Sequence, residues 1–213
     1  MSVRVAASAG FCFGVDRAVG LVEQTVREGK RAVTLGPIIH NRHVVERFAK
    51  LGVREIASPD EAQPGETVIL RAHGVEKAMQ EELAARGLEV IDATCPFVTK
   101  IHKIVEKESA KGQTIIIIGD AKHPEIIGIH GHCSSKCYIV NSAQELQNLS
   151  ESEPNLVNQP ISVVVQTTFH VIEWKNCLKI LKRVYTNATI FDTICNATAK
   201  RQSEAVELAK KSD

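Results

Sequence analysis

The residues best suited to chemistry are six cysteines, eight histidines and a few acids and hydroxyls set at the ends of apolar runs. The cysteines stand at 12, 95, 133, 137, 177 and 195, and no two form a Cys-x-x-Cys pair. Spacing alone therefore carries no metal signature, and the neighbours of each cysteine must decide. Three share a setting. Val-Arg-Val-Ala-Ala-Ser-Ala-Gly-Phe-Cys12, Leu-Glu-Val-Ile-Asp-Ala-Thr-Cys95 and Ala-Thr-Ile-Phe-Asp-Thr-Ile-Cys195 each read as a strand, a short turn, a cysteine and then an amphipathic helix. Asp92 and Asp192 stand three residues before their cysteines. A helix N-terminus favours negative charge and lowers a thiol's pKa, so each of these cysteines is placed to become a thiolate. If the repeats pack around a pseudo-threefold axis, the thiolates converge, and three of them without a fourth describe an iron–sulfur cluster with one iron open to a substrate. The competing reading is three small buried hydrophobes.

A second polar set closes the intervening apolar runs: His40, His73, His123, Glu125 and Thr167. In parallel α/β folds ligands gather at the carboxyl ends of strands, so these residues face the same region as the cysteines. Imidazoles and hydroxyls beside helix N-termini suit a diphosphate, and a glutamate in an apolar pocket holds or relays a proton because burial raises its pKa. His43, His102, His130 and His170 read as exposed or helix-face residues. Cys177 reads as core within a helix at Val171–Val184. The stretch from His130 to Cys137 offers two imidazoles and two thiols, but its spacing fits none of the usual structural zinc frameworks, and a surface loop is the default reading.

The elements that must position these groups alternate. Apolar, β-rich runs at Val3–Ala7, Ala32–Leu35, Thr67–Leu70, Leu88–Ile91, Thr114–Ile118, Cys137–Val140, Ile161–Val165 and Thr189–Phe191 are separated by amphipathic helical stretches, the pattern of parallel α/β structure. Val15, Ala18, Val19, Val22 and Val26 line one face of the first helix. Pro96 falls at a first helical position, where its missing N–H costs nothing. Cys95 lies 83 residues after Cys12 and Cys195 lies 100 after Cys95, which makes the pattern an internal repeat. The expected units are 1–95, 96–194 and the start of a third at 195–213, which the chain leaves truncated. Composition is ordinary, with 44% hydrophobic and 24% charged residues and a net charge of +1. That balance gives no argument for nucleic acid, no run is long enough to span a bilayer, and no signal pattern opens the chain, so a cytoplasmic protein is expected.

Gly-Phe-Cys12-Phe-Gly, Ile-His40-Asn41-Arg, Ala-His73-Gly74-Val, Asp-Ala-Thr-Cys95-Pro, His123-Pro124-Glu125, Gln166-Thr167-Thr168 and Ile-Cys195-Asn-Ala-Thr occur in the order found in the IspH/LytB reductases, and the chain resembles that family from Cys12 to Gln202. The resemblance implies a pseudo-threefold trefoil of α/β units around one [4Fe–4S] cluster held by Cys12, Cys95 and Cys195, with one iron not ligated by protein. It implies diphosphate binding by His40 and His73 with help from His123, a proton supply at Glu125, and Thr167 positioning and relaying near the substrate hydroxyl. The implied reaction is a two-electron reductive dehydroxylation of 4-hydroxy-3-methylbut-2-enyl diphosphate to isopentenyl and dimethylallyl diphosphate, with flavodoxin or ferredoxin as electron donor. The family's further diphosphate contacts, a Ser-x-Asn segment and a later serine, have no counterpart here. The alternative expectation is therefore a non-catalytic fragment or an iron–sulfur electron-transfer module.

Overall fold

The structure, a computed structural model, describes residues 3–211. The outermost residues of the expected first and third units, 1–2 and 212–213, lie outside that range. The elements in order are α1 (Phe13–Arg27), β1 (Arg31–Leu35), α2 (Arg42–Lys50), β2 (Arg54–Ile56), β3 (Glu66–Leu70), α3 (Lys77–Ala85), β4 (Glu89–Asp92), α4 (Pro96–Ala110), β5 (Thr114–Ile118), α5 (Pro124–His130), β6 (Cys137–Val140), α6 (Ala143–Ser152), β7 (Ile161–Val165), α7 (Val171–Val184), β8 (Ala188–Ile190) and α8 (Asn196–Ala209). The fold is α/β, built on two four-stranded sheets with the orders β2-β1-β3-β4 and β6-β5-β7-β8. Every pairing within them is parallel.

Contacts divide the chain into two compact units. One comprises 12–103 and 127–132, the other 3–11, 104–126 and 133–211 among the described residues. Each holds one sheet. In the first, Ala32 and Ile69 pack with Ala18, Val19 and Val22 of α1 and with Val44 and Phe48 of α2. The alternate residues Val33, Leu35, Val68 and Leu70 pack on the other face with Leu83 of α3. Helices thus cover both faces, which is why these strands are apolar throughout rather than alternating. In the second unit, Ile116, Ile118, Val163 and Val165 pack with Leu146, Trp174, Cys177 and Leu181. The four isoleucines of β5 are all fully buried, each worth about 1.5–3 kcal/mol relative to exposure.

The two sheets have the same topology, so the sequence repeat is a structural one. The amide after β1, at Gly36, donates to Ile56 at the end of β2 (2.8 Å), and the amide after β5, at Gly119, donates to Val140 at the end of β6 (2.9 Å). The longer second repeat holds α6 and a 3-10 turn at Pro154–Asn158 where the first has only a 3-10 turn at Pro59–Glu61.

Two expectations need correction. Val3–Ala7 is not a strand; it is irregular, with Val3 89% and Val5 78% exposed. Its alternating valines match a strand pattern, but a strand also needs a neighbouring strand to pair with and a face to bury, and among the described residues this segment is paired with no strand and its valines stay exposed. It is held by α8 instead. The Glu204 carboxylate accepts from the amides of Ala7 (2.6 Å) and Ser8 (2.9 Å) and from the Ser8 hydroxyl, and Arg201 donates to the Gly10 carbonyl (2.6 Å). Conversely, β2 was not expected. It is three residues long, two of them exposed, at a sheet edge. Among the described residues no helix is long and apolar enough to cross a membrane.

Candidate functional site

The three junction cysteines sit where the sequence places them relative to their helices. Cys12 is the N-cap of α1 and Cys195 the N-cap of α8, both with extended backbone, while Cys95 precedes Pro96, the first residue of α4. Cys95 and Cys195 follow β4 and β8; Cys12 follows the irregular segment instead of a strand. All three are half-buried and none is in a disulfide. The backbone treats Cys95 and Cys195 alike. Cys95 N–H donates to the Ala72 carbonyl (2.9 Å) and Cys195 N–H to the Thr167 carbonyl (3.0 Å), each acceptor lying two residues beyond the end of the neighbouring central strand. Cys195 Sγ accepts from the Thr198 amide (3.4 Å), a bond suited to a thiolate at a helix start.

Within the first unit, α1 comes close to Cys95. A Cβ added at Gly14 would stand 2.5 Å from Cys95 Sγ, so only glycine fits there. Arg17 on the same helix donates to the carbonyls of Thr94 (3.2 Å) and Asp92 (3.0 Å), fixing the turn that carries Cys95. Asp92 caps that turn by accepting from the Thr94 amide (2.8 Å). These are fixed, half-buried thiols at helix starts, a donor set that fits iron–sulfur ligation. Cys177 is core, as expected, fully buried in α7 with its thiol pushed up to about 11 by burial. The zinc reading of 130–137 finds no support: among the described residues no group of three or more ligating side chains gathers there.

Glu125 and Thr167 meet in the second unit. Pro124 opens α5 and sets Glu125 in its first turn, where the carboxylate is 1% exposed. Glu125 Oε1 accepts from the Thr167 amide (2.6 Å) and Oε2 from the Thr167 hydroxyl (2.7 Å). Burial raises the Glu125 pKa, and the two Thr167 hydrogen bonds oppose that rise without cancelling it. Because the Thr167 carbonyl holds the Cys195 amide, the acid, the hydroxyl residue and the cysteine form one hydrogen-bonded sequence. His123 belongs to the same turn. Its Nδ1 accepts from the Glu125 amide (3.1 Å), which leaves Nε2 as the ring's donor.

In the first unit His40 and His73 lie face to face, ring centroids 4.2 Å apart and tilted by 39°. His40 precedes the cap of α2, where Asn41 Oδ1 accepts from the Val44 amide (3.2 Å). His40 and His123 are repeat equivalents, each five residues beyond β1 or β5. The other histidines read as exposed or helix-face residues divide by exposure, with His102 on a buried face of α4. His43, His130 and His170 are exposed, but His102 is 5% exposed and stacks on buried His132 at 4.0 Å. The His102 ring underlies Gly74, where an added Cβ would come within 2.5 Å of it. The signal was present in the sequence: Val98, Ile101, His102 and Val105 follow the three-and-four spacing of a buried helix face.

A family model described as "LytB protein" matches residues 3–213. The chain belongs to the LytB family. LytB relatives named 4-hydroxy-3-methylbut-2-enyl diphosphate reductase include that of Thermoanaerobacter sp. (strain X514), 43% identical over 217 residues, and that of Geobacter sulfurreducens, 40% identical over 213; each match covers all of this chain and 73% of the relative. A solved structure of (E)-4-hydroxy-3-methyl-but-2-enyl diphosphate reductase, called there the terminal enzyme of the non-mevalonate pathway, superposes with a TM-score of 0.79 at 36% identity. The match covers 99% of this chain and 74% of that one. The Plasmodium falciparum reductase structure gives 0.86 at 29%, covering 95% and 63%. This LytB chain is thus a member of an oxidoreductase family.

Proposed function

We propose that this LytB chain acts as a reductase in isoprenoid precursor synthesis, converting 4-hydroxy-3-methylbut-2-enyl diphosphate to isopentenyl and dimethylallyl diphosphate in the cytoplasm. Cys12, Cys95 and Cys195 hold one [4Fe–4S] cluster, leaving one iron without a protein ligand. When bound, that cluster supplies the electrons and a Lewis-acidic iron. The electrons arrive from an external donor of the ferredoxin or flavodoxin class. The observation that carries the reading is the buried Glu125 carboxyl joined by two hydrogen bonds to Thr167, whose carbonyl holds the Cys195 amide.

The reaction needs two electrons and two protons for each hydroxyl lost as water. Glu125 is suited to hold a proton because burial favours its neutral form. With Glu125 ionised, the Thr167 hydroxyl donates inward to Oε2. With Glu125 protonated, that hydroxyl accepts from the acid and points its own proton outward; the Thr167 proton passes to the substrate oxygen as the Glu125 proton passes to the Thr167 oxygen, which leaves Glu125 ionised and the hydroxyl restored. His40 and His73 supply imidazole donors to the diphosphate, and His123 adds its Nε2–H. Protonation of the allyl fragment at one end or the other gives the two products.

The test uses protein prepared anaerobically and a strong artificial reductant. Serine at Cys12, Cys95 or Cys195 is expected to lose iron. Glu125→Gln is expected to keep iron and substrate binding while turnover falls about 10²–10⁴-fold, the usual worth of a positioned acid. Iron retained by all three serine variants would end the cluster assignment, and normal turnover by Glu125→Gln would remove the glutamate from the mechanism. Iron without any turnover in the unaltered chain would favour the electron-transfer reading.

A further inference from the structure

We propose that Cys133 and Cys137 form an oxidisable dithiol site that reacts with small disulfide molecules and closes to an intramolecular disulfide. Neither residue takes part in the mechanism above, and the inference does not depend on it. The two cysteines bracket the turn between α5 and β6, and both are half-buried and not in a disulfide. Both ends of that turn are fixed. Cys137 opens β6 in register with Ile115, whose amide donates to the Lys136 carbonyl (2.9 Å). Cys133 Sγ donates to the Ser135 carbonyl (3.4 Å), so its sulfur folds back over the turn instead of pointing away.

The residues between are pinned from below. The Ser134 amide and hydroxyl both donate to Ser109 Oγ (3.1 Å each), and the Ser135 hydroxyl donates to the Gln113 carbonyl (2.5 Å). A turn tied at four points carries a cysteine at each end and sets the Cys133 side chain beside Cys137. That neighbouring thiol, with burial second, holds the Cys137 thiol above its ordinary range.

The chemistry balances without a metal. The thiolate of one cysteine of the pair attacks one sulfur of the external disulfide, forming a mixed disulfide and releasing one thiolate. The other cysteine then loses its proton and attacks the protein sulfur of that mixed disulfide, releasing the second thiolate. The pair is oxidised by two electrons, the small disulfide is reduced to two thiols, and the two protein protons end on them.

The sequence supplies a direct readout. Lys136 lies between the cysteines, so trypsin separates Cys133, on peptide 123–136, from Cys137, on peptide 137–175, and none of the other four cysteines falls on either peptide. Intact chain is incubated with glutathione disulfide, quenched in acid, unfolded, alkylated and digested. The expected result is one linked species containing both peptides as the major form, resolved by dithiothreitol. Two separately alkylated peptides, or a glutathione adduct that never proceeds to the linked form, would overturn the proposal. Cys137→Ser and Cys133→Ser are each expected to stop at a mixed disulfide on the cysteine that remains. A linked 123–136/137–175 species that still forms in either variant would overturn the proposal.

Discussion

Two glycines of α1 provide a controlled measure of how tightly this helix fits against Cys95. Glycine to alanine within a helix gains up to about 0.8–1 kcal/mol from backbone propensity. At Gly20 nothing lies within 4 Å of the added Cβ, so Gly20→Ala is expected to show most of that gain. At Gly14 the added carbon meets Cys95 Sγ at 2.5 Å. Ordinary non-bonded contact is about 3.5–4.0 Å, so the overlap is about 1–1.5 Å. Overpacking of this kind costs about 1–3 kcal/mol, and that cost separates the two variants. For a chain of this size each kcal/mol moves Tm by about 2–4 °C, so Gly14→Ala is expected to melt about 2–12 °C below Gly20→Ala. Thermal melting under anaerobic, reducing conditions measures the gap, and iron analysis of the same samples reports whether the displaced sulfur still ligates. Iron is expected to fall in Gly14→Ala and to hold in Gly20→Ala. Equal melting and equal iron would show that Cys95 does not lie against α1, and the ligand geometry drawn for the first unit would be wrong.

Two titrations test the electrostatics. Burial raises Glu125 above its ordinary 4.5, so the folded chain binds this proton more tightly than the unfolded one. Its contribution to stability is complete below that value and fades as pH rises through the folded pKa. The stability difference between unaltered chain and Glu125→Gln is therefore expected to shrink as pH rises above 4.5 in denaturant melts; a flat or growing difference would contradict the burial account. Glu204 runs the other way. Hydrogen bonds, first from the Ser8 hydroxyl, hold its pKa below 4.5, so it supports the fold above its ordinary value and loses that support as pH falls through the folded pKa. The Ala7 and Ser8 amide resonances are expected to titrate together with a midpoint below 4.5 and to stop titrating in Glu204→Gln. A midpoint at or above 4.5 would mean that the carboxylate does not hold this segment.

The local features were legible in sequence and the distant ones were not. Pro96 at the first position of α4, Cys177 in the core of α7 and the apolar face of α1 each follow from residues within one or two turns of each other. Val3–Ala7 misled because alternation records which residues favour a strand, not whether a neighbouring strand exists to pair with it. Arg54–Ile56 escaped notice because an edge strand of three residues with two exposed shows no apolar run. At the candidate site, placement at strand ends and helix starts could be read directly. The Glu125–Thr167 pairing spans 42 residues and the approach of Gly14 to Cys95 spans 81, and nothing in local spacing encodes either.

The position of α6 explains how one copy of a duplicated architecture could lengthen without moving its chemistry. The extra helix follows β6, the outermost strand on its side, whereas Cys195 is tethered through Thr167 to the opposite half of the same sheet. Growth at that margin adds surface and leaves the tether's bond lengths alone. Insertions between β7 and β8 would have no such latitude, because every added residue there would have to be absorbed between the carbonyl that anchors the cysteine and the cysteine itself.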